Sequence, residues 1–148
     1  MNNLEKIQKL AMELKDKQSW IRKGLTKFLE TWEELTSDIE TSHKYIDVFT
    51  DSDDEDYYDE ETVFALKYGS KDVYVKYIYQ GTSTTYRPWS DSQYFDKSAS
   101  MLLIKDFIYS LEGAFEDEVE TLNGLNERYD DASSVLNDLL KALQSITK

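Results

Sequence analysis

The 148-residue chain contains no cysteine, one proline and one histidine. The absence of cysteine excludes disulfide bonds, thiolate metal ligands and a cysteine nucleophile. No stretch approaches the ~20 apolar residues that cross a bilayer, and the charged N-terminus lacks the apolar region of a secretory signal. We therefore expect a cytoplasmic protein that has no membrane partner.

Residues suited to catalysis or to cofactor binding are also scarce. His43 stands beside Lys44 with no nucleophile signature nearby, and the five isolated glycines form no phosphate-binding motif. An EF-hand starting at Asp51 would have Asp56 where that loop requires glycine and Thr62 where it requires glutamate. The sequence therefore predicts a protein that is not an enzyme and has no cofactor or metal site.

Apolar residues recur at alternating spacings of three and four near both ends of the chain, which is typical of long amphipathic helices. The N-terminal series comprises Leu4, Ile7, Ala11, Leu14, Gln18, Ile21, Leu25, Phe28, Trp32, Leu35 and Ile39. The C-terminal series comprises Ile104, Ile108, Leu111, Phe115, Glu118, Leu122, Leu125, Tyr129, Ala132, Leu136, Leu139, Leu143 and Ile146. We predict helices over 1–46 and 98–147. Further apolar residues widen each stripe, so each helix needs a second neighbour, either the sheet or a second copy in a homodimer.

Between these series, β-branched and aromatic residues alternate with polar ones, as in β-strands. Three strands are predicted, over 62–68, 72–79 and 83–87. Pro88 is expected to end the third, edge strand. The predicted fold class is α+β, a single domain over 1–148. Two long antiparallel coiled-coil-like helices bracket a three-stranded antiparallel β-meander over 62–90.

Negative charge is concentrated in one segment. The formal net charge is -13, and residues 38–61 contain eleven acidic side chains against one lysine. Because so many like charges cannot pack together, residues 47–61 are predicted to form a solvated acidic loop. Such a field repels nucleic acid and attracts a basic partner protein. We therefore expect no direct binding of nucleic acid.

Closely spaced carboxylates can imitate the phosphate row of DNA, and tyrosine side chains can anchor an interface. The predicted partner-binding residues are Asp53, Asp54, Glu55, Asp56, Tyr57, Tyr58, Asp59 and Glu60. In size, charge and this acidic run, the chain resembles the phage-encoded anti-CRISPR and anti-restriction inhibitors that mimic DNA. The resemblance implies an inhibitor that acts in a host cytoplasm by occluding the nucleic-acid-binding surface of a basic partner protein.

Two alternative functions follow from other features. The order of helix, meander and helix resembles a prefoldin subunit, which implies a coiled-coil assembly or chaperone-like protein. The tyrosine-rich sheet, with basic neighbours such as Lys76 and Arg87, suits a small-molecule or nucleotide-binding module, because aromatic rings stack on bases. Alternation places Tyr77 and Tyr79 on the face expected to cover the helices and leaves Tyr74 outside.

Overall fold

A computed structural model of the chain describes residues 2–53, 60–89 and 101–147. In chain order, these residues form α1 (Asn3–Thr36), β1 (Tyr45–Asp53), β2 (Glu60–Lys67), β3 (Val73–Tyr79), β4 (Thr82–Ser83), β5 (Arg87–Pro88) and α2 (Met101–Ile146). The predicted α+β class, with an antiparallel sheet between two long helices, is confirmed. Coiled-coil pairing of the helices stays a prediction. The chain forms two compact units, Met1–Glu112 and Gly113–Lys148.

Helix α1 is capped at its start and ends earlier than predicted. The side chain of Asn2 accepts a hydrogen bond from the backbone N–H of Glu5 at 2.9 Å, which satisfies one of the free N–H groups of the first turn. The predicted continuation to residue 46 is wrong, because the last turn of α1 is tied to the sheet at Thr36. This buried side chain donates to the carbonyl oxygen of Trp32 at 2.6 Å and accepts from the backbone N–H of Gly69 at 2.8 Å.

The contact between the end of α1 and the sheet also includes the indole of Trp32. Its N–H donates to the carbonyl oxygen of Lys67 at 2.9 Å, and its ring stacks on Tyr68 with 5.5 Å between the ring centroids. The turn after β2 requires Gly69 in the left-handed region, at a φ of 77°. The end of α1 and the turn between β2 and β3 are therefore one hydrogen-bonded unit.

The prediction of an acidic loop over 47–61 is wrong at both of its ends. Strand β1 continues to Asp53 and β2 begins at Glu60, while residues 54–59 lie outside the described part of the chain. The buried side chains of Ile46 and Val48 explain the strand, because their burial and the pairing with β2 outweigh the local charge. The charge of this segment hides the alternation of its apolar residues, which is why the strand was not predicted.

Strands β1, β2 and β3 form an antiparallel meander in which spatial order follows chain order. Predicted strands 62–68 and 72–79 correspond to β2 and β3. The predicted third strand is wrong in its extent, because two short strands, β4 and β5, pair with β3 instead. Between them, the backbone N–H and the hydroxyl of Thr84 both donate to the carbonyl oxygen of Tyr77, at 3.1 and 2.9 Å. Pro88 does not end this edge but belongs to β5, where an edge position tolerates proline.

The two faces of the meander differ in composition. We call one the apolar face, and its buried side chains are Ile46, Phe64, Leu66, Val73 and Val75. Together with Leu25 and Leu29 of α1 and Ile104 and Phe107 of α2, they form the core of the first unit. We call the other the tyrosine face, and its members include Tyr45, Asp47, Val63, Ala65, Lys67, Tyr74 and Lys76.

The expectation that Tyr74 stays outside is wrong, because the side chains of Tyr45 and Lys67 lie against its ring. Tyr74 is buried, and Tyr45 meets its ring edge-on with 5.4 Å between the centroids. The ammonium of Lys67 lies 5.3 Å from the centroid of the Tyr74 ring. Strand β1, which the sequence analysis did not predict, supplies the tyrosine that seals this face.

Candidate interaction surface

The acidic run lies at the end of the β1–β2 hairpin. Pairing of the two strands continues to the cross-strand partners Asp53 and Glu60, which the structure therefore brings together. We call residues 51–61, eight of which are acidic, the acidic hairpin. The other predicted partner-binding residues lie outside the described part of the chain, and they are Asp54, Glu55, Asp56, Tyr57, Tyr58 and Asp59.

The base of the acidic hairpin adjoins two exposed tyrosines of β3. Thr62 pairs with Asp51 on one side and with Tyr77 on the other, and Glu60 pairs with Tyr79. Cross-strand partners share a face and have Cα atoms ~4.5–5.5 Å apart. Tyr77 and Tyr79 remain 52% and 43% exposed. The backbone register therefore places the acidic positions Asp51 and Glu60 in the same rows of the sheet as Tyr77 and Tyr79.

Tyr77 and Tyr79 are not among the residues that were predicted to bind a partner. Alternation places both correctly on the face of Val73 and Val75, but only that inner pair is buried. The signal that could have found the two tyrosines is the short turn between β2 and β3, because a tight turn fixes the register of its strands. That register pairs the end of β3 with Glu60 and Glu61 at the start of β2.

On the tyrosine face, Lys76, one of the basic residues predicted to lie beside a ligand, is engaged by other side chains. The ammonium of Lys76 lies 3.3 Å from Asp47 Oδ2 and 4.6 Å from the centroid of the Tyr86 ring. The hydroxyl of Tyr86 donates to Asp47 Oδ1, and its ring stacks on Tyr45 with 4.0 Å between the centroids. These four side chains form an internally paired cluster that links β1, β3 and the segment before β5.

This pairing changes the ionisation of two groups. Burial raises the pKa of Tyr86, and the hydrogen bond with Asp47 raises it further. Burial by itself lowers the pKa of Lys76, but the hydrogen bond with Tyr86 and the charge of Asp47 outweigh it, so this pKa is raised. Both groups therefore hold their protons more tightly in the folded chain, and Lys76 keeps its charge for Asp47.

The alternative of a nucleotide-binding sheet stays a prediction, and the pairing of these four side chains disfavours it. Base stacking needs an open aromatic face with a cation beside it. Here Tyr86 stacks on Tyr45, and Lys76 is paired with Asp47. Tyr77 and Tyr79 are the exposed rings of β3, and their cross-strand neighbours are Thr62 and Glu60. An acidic neighbour disfavours an anionic ligand.

An apolar groove of about 390 Å³ lies between α1 and the first turns of α2, within the first unit. Its lining includes Trp20, Gly24 and Phe28 of α1 and Lys105, Ile108 and Tyr109 of α2. A Cβ added at Gly24 would meet nothing within 4 Å, so the groove is open there. The groove suits an apolar side chain, and Lys105 is the charged side chain among the described residues of its lining.

Other chemistry has little support among the described residues. No group of three or more His, Asp or Glu side chains in this part of the chain could hold a metal ion. His43 is half-buried beside Tyr68, with 6.3 Å between the ring centroids. Neither helix, over its described residues, is long and apolar enough to cross a membrane.

Comparison with known proteins adds no family to these observations. No protein-family model matches the chain, and no curated protein or solved structure is significantly similar to it. Its function must therefore be inferred from the chemistry of its own surface.

Proposed function

We propose that the chain is a non-enzymatic inhibitor that occludes the basic, nucleic-acid-binding surface of a partner protein, as phage-encoded anti-defence inhibitors do. The observation that carries this proposal is the density of charge at the end of a paired ribbon. Eight of the eleven residues from 51 to 61 are acidic, and β1 and β2 stay paired up to Asp53 and Glu60. The pairing of β1 with β2 holds the backbone in place at the base of the acidic hairpin. Less conformational entropy is therefore lost when a partner binds there.

The spacing along the hairpin supports imitation of a nucleic acid. An antiparallel strand rises ~3.4 Å per residue and its side chains alternate between two faces, so acidic positions on one face, such as Asp51 and Asp53, repeat every ~6.8 Å. Each strand of duplex DNA carries one phosphate per ~3.4 Å of helix axis. Neighbouring β-strands lie ~4.8 Å apart, so the pairing of Asp53 with Glu60 places acidic positions of two strands side by side. A basic groove that binds a phosphate backbone would meet a similar row of negative groups on the acidic hairpin.

The tyrosines supply the apolar part of this interface. Tyrosine is enriched among the residues that dominate binding energy, because a large ring with few rotatable bonds becomes desolvated at low entropic cost. Tyr77 and Tyr79 are exposed beside the acidic hairpin, and Tyr57 and Tyr58 lie within its sequence. Carboxylates would steer the partner to the surface, and the aromatic rings would hold it there.

A charge-neutralised variant tests the proposal. The hairpin variant carries Asp51→Asn, Asp53→Asn, Glu60→Gln and Glu61→Gln. Its matched control removes four charges from exposed positions of α2 through Glu127→Gln, Asp130→Asn, Asp131→Asn and Asp138→Asn. Both should keep the circular dichroism of the original chain.

The measurement uses nucleic-acid-binding proteins captured from a bacterial lysate on the immobilised original chain at low salt. At about 0.5 kcal/mol per carboxylate, the hairpin variant should bind roughly thirtyfold more weakly, with a flatter salt dependence. The control should bind like the original chain. The original chain should also displace DNA from the captured protein. Unchanged affinity of the hairpin variant, or a complex in which the captured protein still holds DNA, would overturn the proposal.

A further inference from the structure

The C-terminal part of α2 exposes an unusually regular apolar stripe. We call this stripe the α2 seam, formed by Tyr129, Ala132, Leu136, Leu139, Leu143 and Ile146 at alternating spacings of three and four. Leu136, Leu143 and Ile146 are 57%, 59% and 78% exposed. Within the unit Gly113–Lys148, the described residues form one continuous helical segment. Because a helix is stabilised mainly by packing of its apolar side, this segment needs another surface.

The exposed area matches what a stable interface between proteins requires. Besides the α2 seam, Val135 and Leu140 of the same segment are also exposed. Seven large apolar side chains at on the order of 100 Å² each give roughly 700 Å², and a standard interface buries ~800 Å² on each partner. Scattered surface leucines would not form such a continuous stripe.

The distribution of charge favours a second copy of the chain as the partner. The positions that flank the α2 seam are Arg128, Ser133, Val135, Leu140, Ala142 and Thr147, so none carries a carboxylate. The acidic residues of this stretch, such as Asp130 and Asp138, fall on the other side of the helix at 100° per residue. Two copies with a formal charge of -13 each can therefore meet along this stripe without opposed carboxylates.

We propose that two copies of the chain associate through the α2 seam. A heptad stripe is complementary to itself, since side chains at spacings of three and four interdigitate with the same spacings on a second helix. The absence of carboxylates on both sides of the α2 seam argues against a basic partner, which the acidic surfaces would attract instead. This interface is separate from the acidic hairpin, and either can exist without the other.

Light scattering and sedimentation of the full chain over a wide range of concentration test this proposal. The original chain should approach twice the mass of one chain as concentration rises. High salt should preserve the dimer, because no attraction between opposite charges is involved and screening reduces the repulsion between copies. A single-chain mass at every concentration would overturn the proposal.

A pair of matched variants locates the interface. Leu136→Glu with Leu143→Glu introduces two carboxylates into the α2 seam, and the dimer should dissociate at least a hundredfold more readily. Ser134→Glu with Asn137→Glu adds the same charge outside the α2 seam and should leave the dimer intact. A seam variant that still forms the dimer, or a control that dissociates equally, would contradict the assignment. Tryptophan fluorescence verifies that the first unit remains folded, since Trp20, Trp32 and Trp89 all lie outside the segment.

Discussion

The sheet and the C-terminal part of α2 are both rich in apolar side chains, but they bury them to very different extents. In the sheet, Ala65 and Leu66 are fully buried on opposite faces of β2. In the helix, Leu136 and Leu139 are more than half exposed. An apolar pattern therefore predicts which side of an element can be buried, whereas a second layer must be present for the burial to occur.

The sheet has such a layer on its apolar face, and on the tyrosine face its own side chains and Tyr86 pack against one another. Core residues of α1 and α2 are buried together with the apolar face, and the rings of Tyr45 and Tyr86 cover the tyrosine face. The helical segment supplies one layer only. The sheet should therefore determine the stability of a single chain, and the helical segment should determine its association.

The largest expected effect is the loss of a core leucine. Leu66→Ala should lower the free energy of unfolding by about 3 kcal/mol, because it removes buried methyl groups and leaves a cavity. Leu139→Ala, measured in dilute solution, should lower it by less than about 0.5 kcal/mol. Urea denaturation followed by circular dichroism measures both. Equal losses would show that the two regions do not differ in burial within one chain.

The next effect concerns the junction of α1 with the sheet. Thr36→Val keeps the shape of the side chain but leaves the backbone N–H of Gly69 without its acceptor, at a cost of about 2 kcal/mol. Thr36→Ser retains the hydroxyl and should cost about half as much or less. Denaturation of both variants gives the comparison. A cost for Thr36→Val no greater than that for Thr36→Ser would mean that packing rather than the hydrogen bond holds this junction.

The sequence predicted those elements whose periodicity is uninterrupted. Predicted strands over 62–68 and 72–79 agree with β2 and β3 because β-branched and aromatic residues dominate there. Strand β1 was missed since its acidic residues resemble a loop and the helical spacing continues to Ile39. The helix nevertheless ends at Thr36, through contacts with Lys67 and Gly69 that no local pattern contains.

The predicted partner-binding residues stay a prediction, and the structure describes the position of two of them. The acidic run contains Asp53 and Glu60, and the register of β1 and β2 makes them cross-strand partners. The exposure of Tyr77 and Tyr79 was not predicted, because it depends on where the core ends, and alternation alone does not specify that position. The engagement of Lys76 by Asp47 depends on strand β1 and could not be predicted without it.

A smaller effect is expected from replacing two glycines, one in the turn between β2 and β3 and one in α1, because the two replacements should change stability in opposite directions. Gly69→Ala should destabilise the chain by about 1–2 kcal/mol, because its φ of 77° strains a residue with a Cβ. Gly24→Ala should stabilise it by about 0.5–1 kcal/mol, since the position is helical and a Cβ meets nothing within 4 Å. Thermal unfolding midpoints should therefore shift in opposite directions. Shifts of the same sign would contradict the turn geometry at Gly69.

The smallest effect is an alkaline one on the tyrosine face. Burial and Asp47 raise the pKa of Tyr86, and Tyr86 with Asp47 raises that of Lys76 against the effect of burial. A group whose pKa is raised on folding stabilises the folded chain below its ordinary pKa, which is about 10 for both side chains. That stabilisation is lost as the pH rises through the raised value in the folded chain.

The free energy of unfolding should therefore fall more steeply above a pH of about 10 in the original chain than in Tyr86→Phe. Tyr109→Phe is the matched control, because this tyrosine is exposed and its removal should leave the steep fall unchanged. Urea denaturation at a series of alkaline pH values measures the slopes. If Tyr86→Phe and Tyr109→Phe lose stability equally with pH, the paired side chains do not seal this face of the sheet. The contrast with the exposed helical segment would then depend on the apolar face alone.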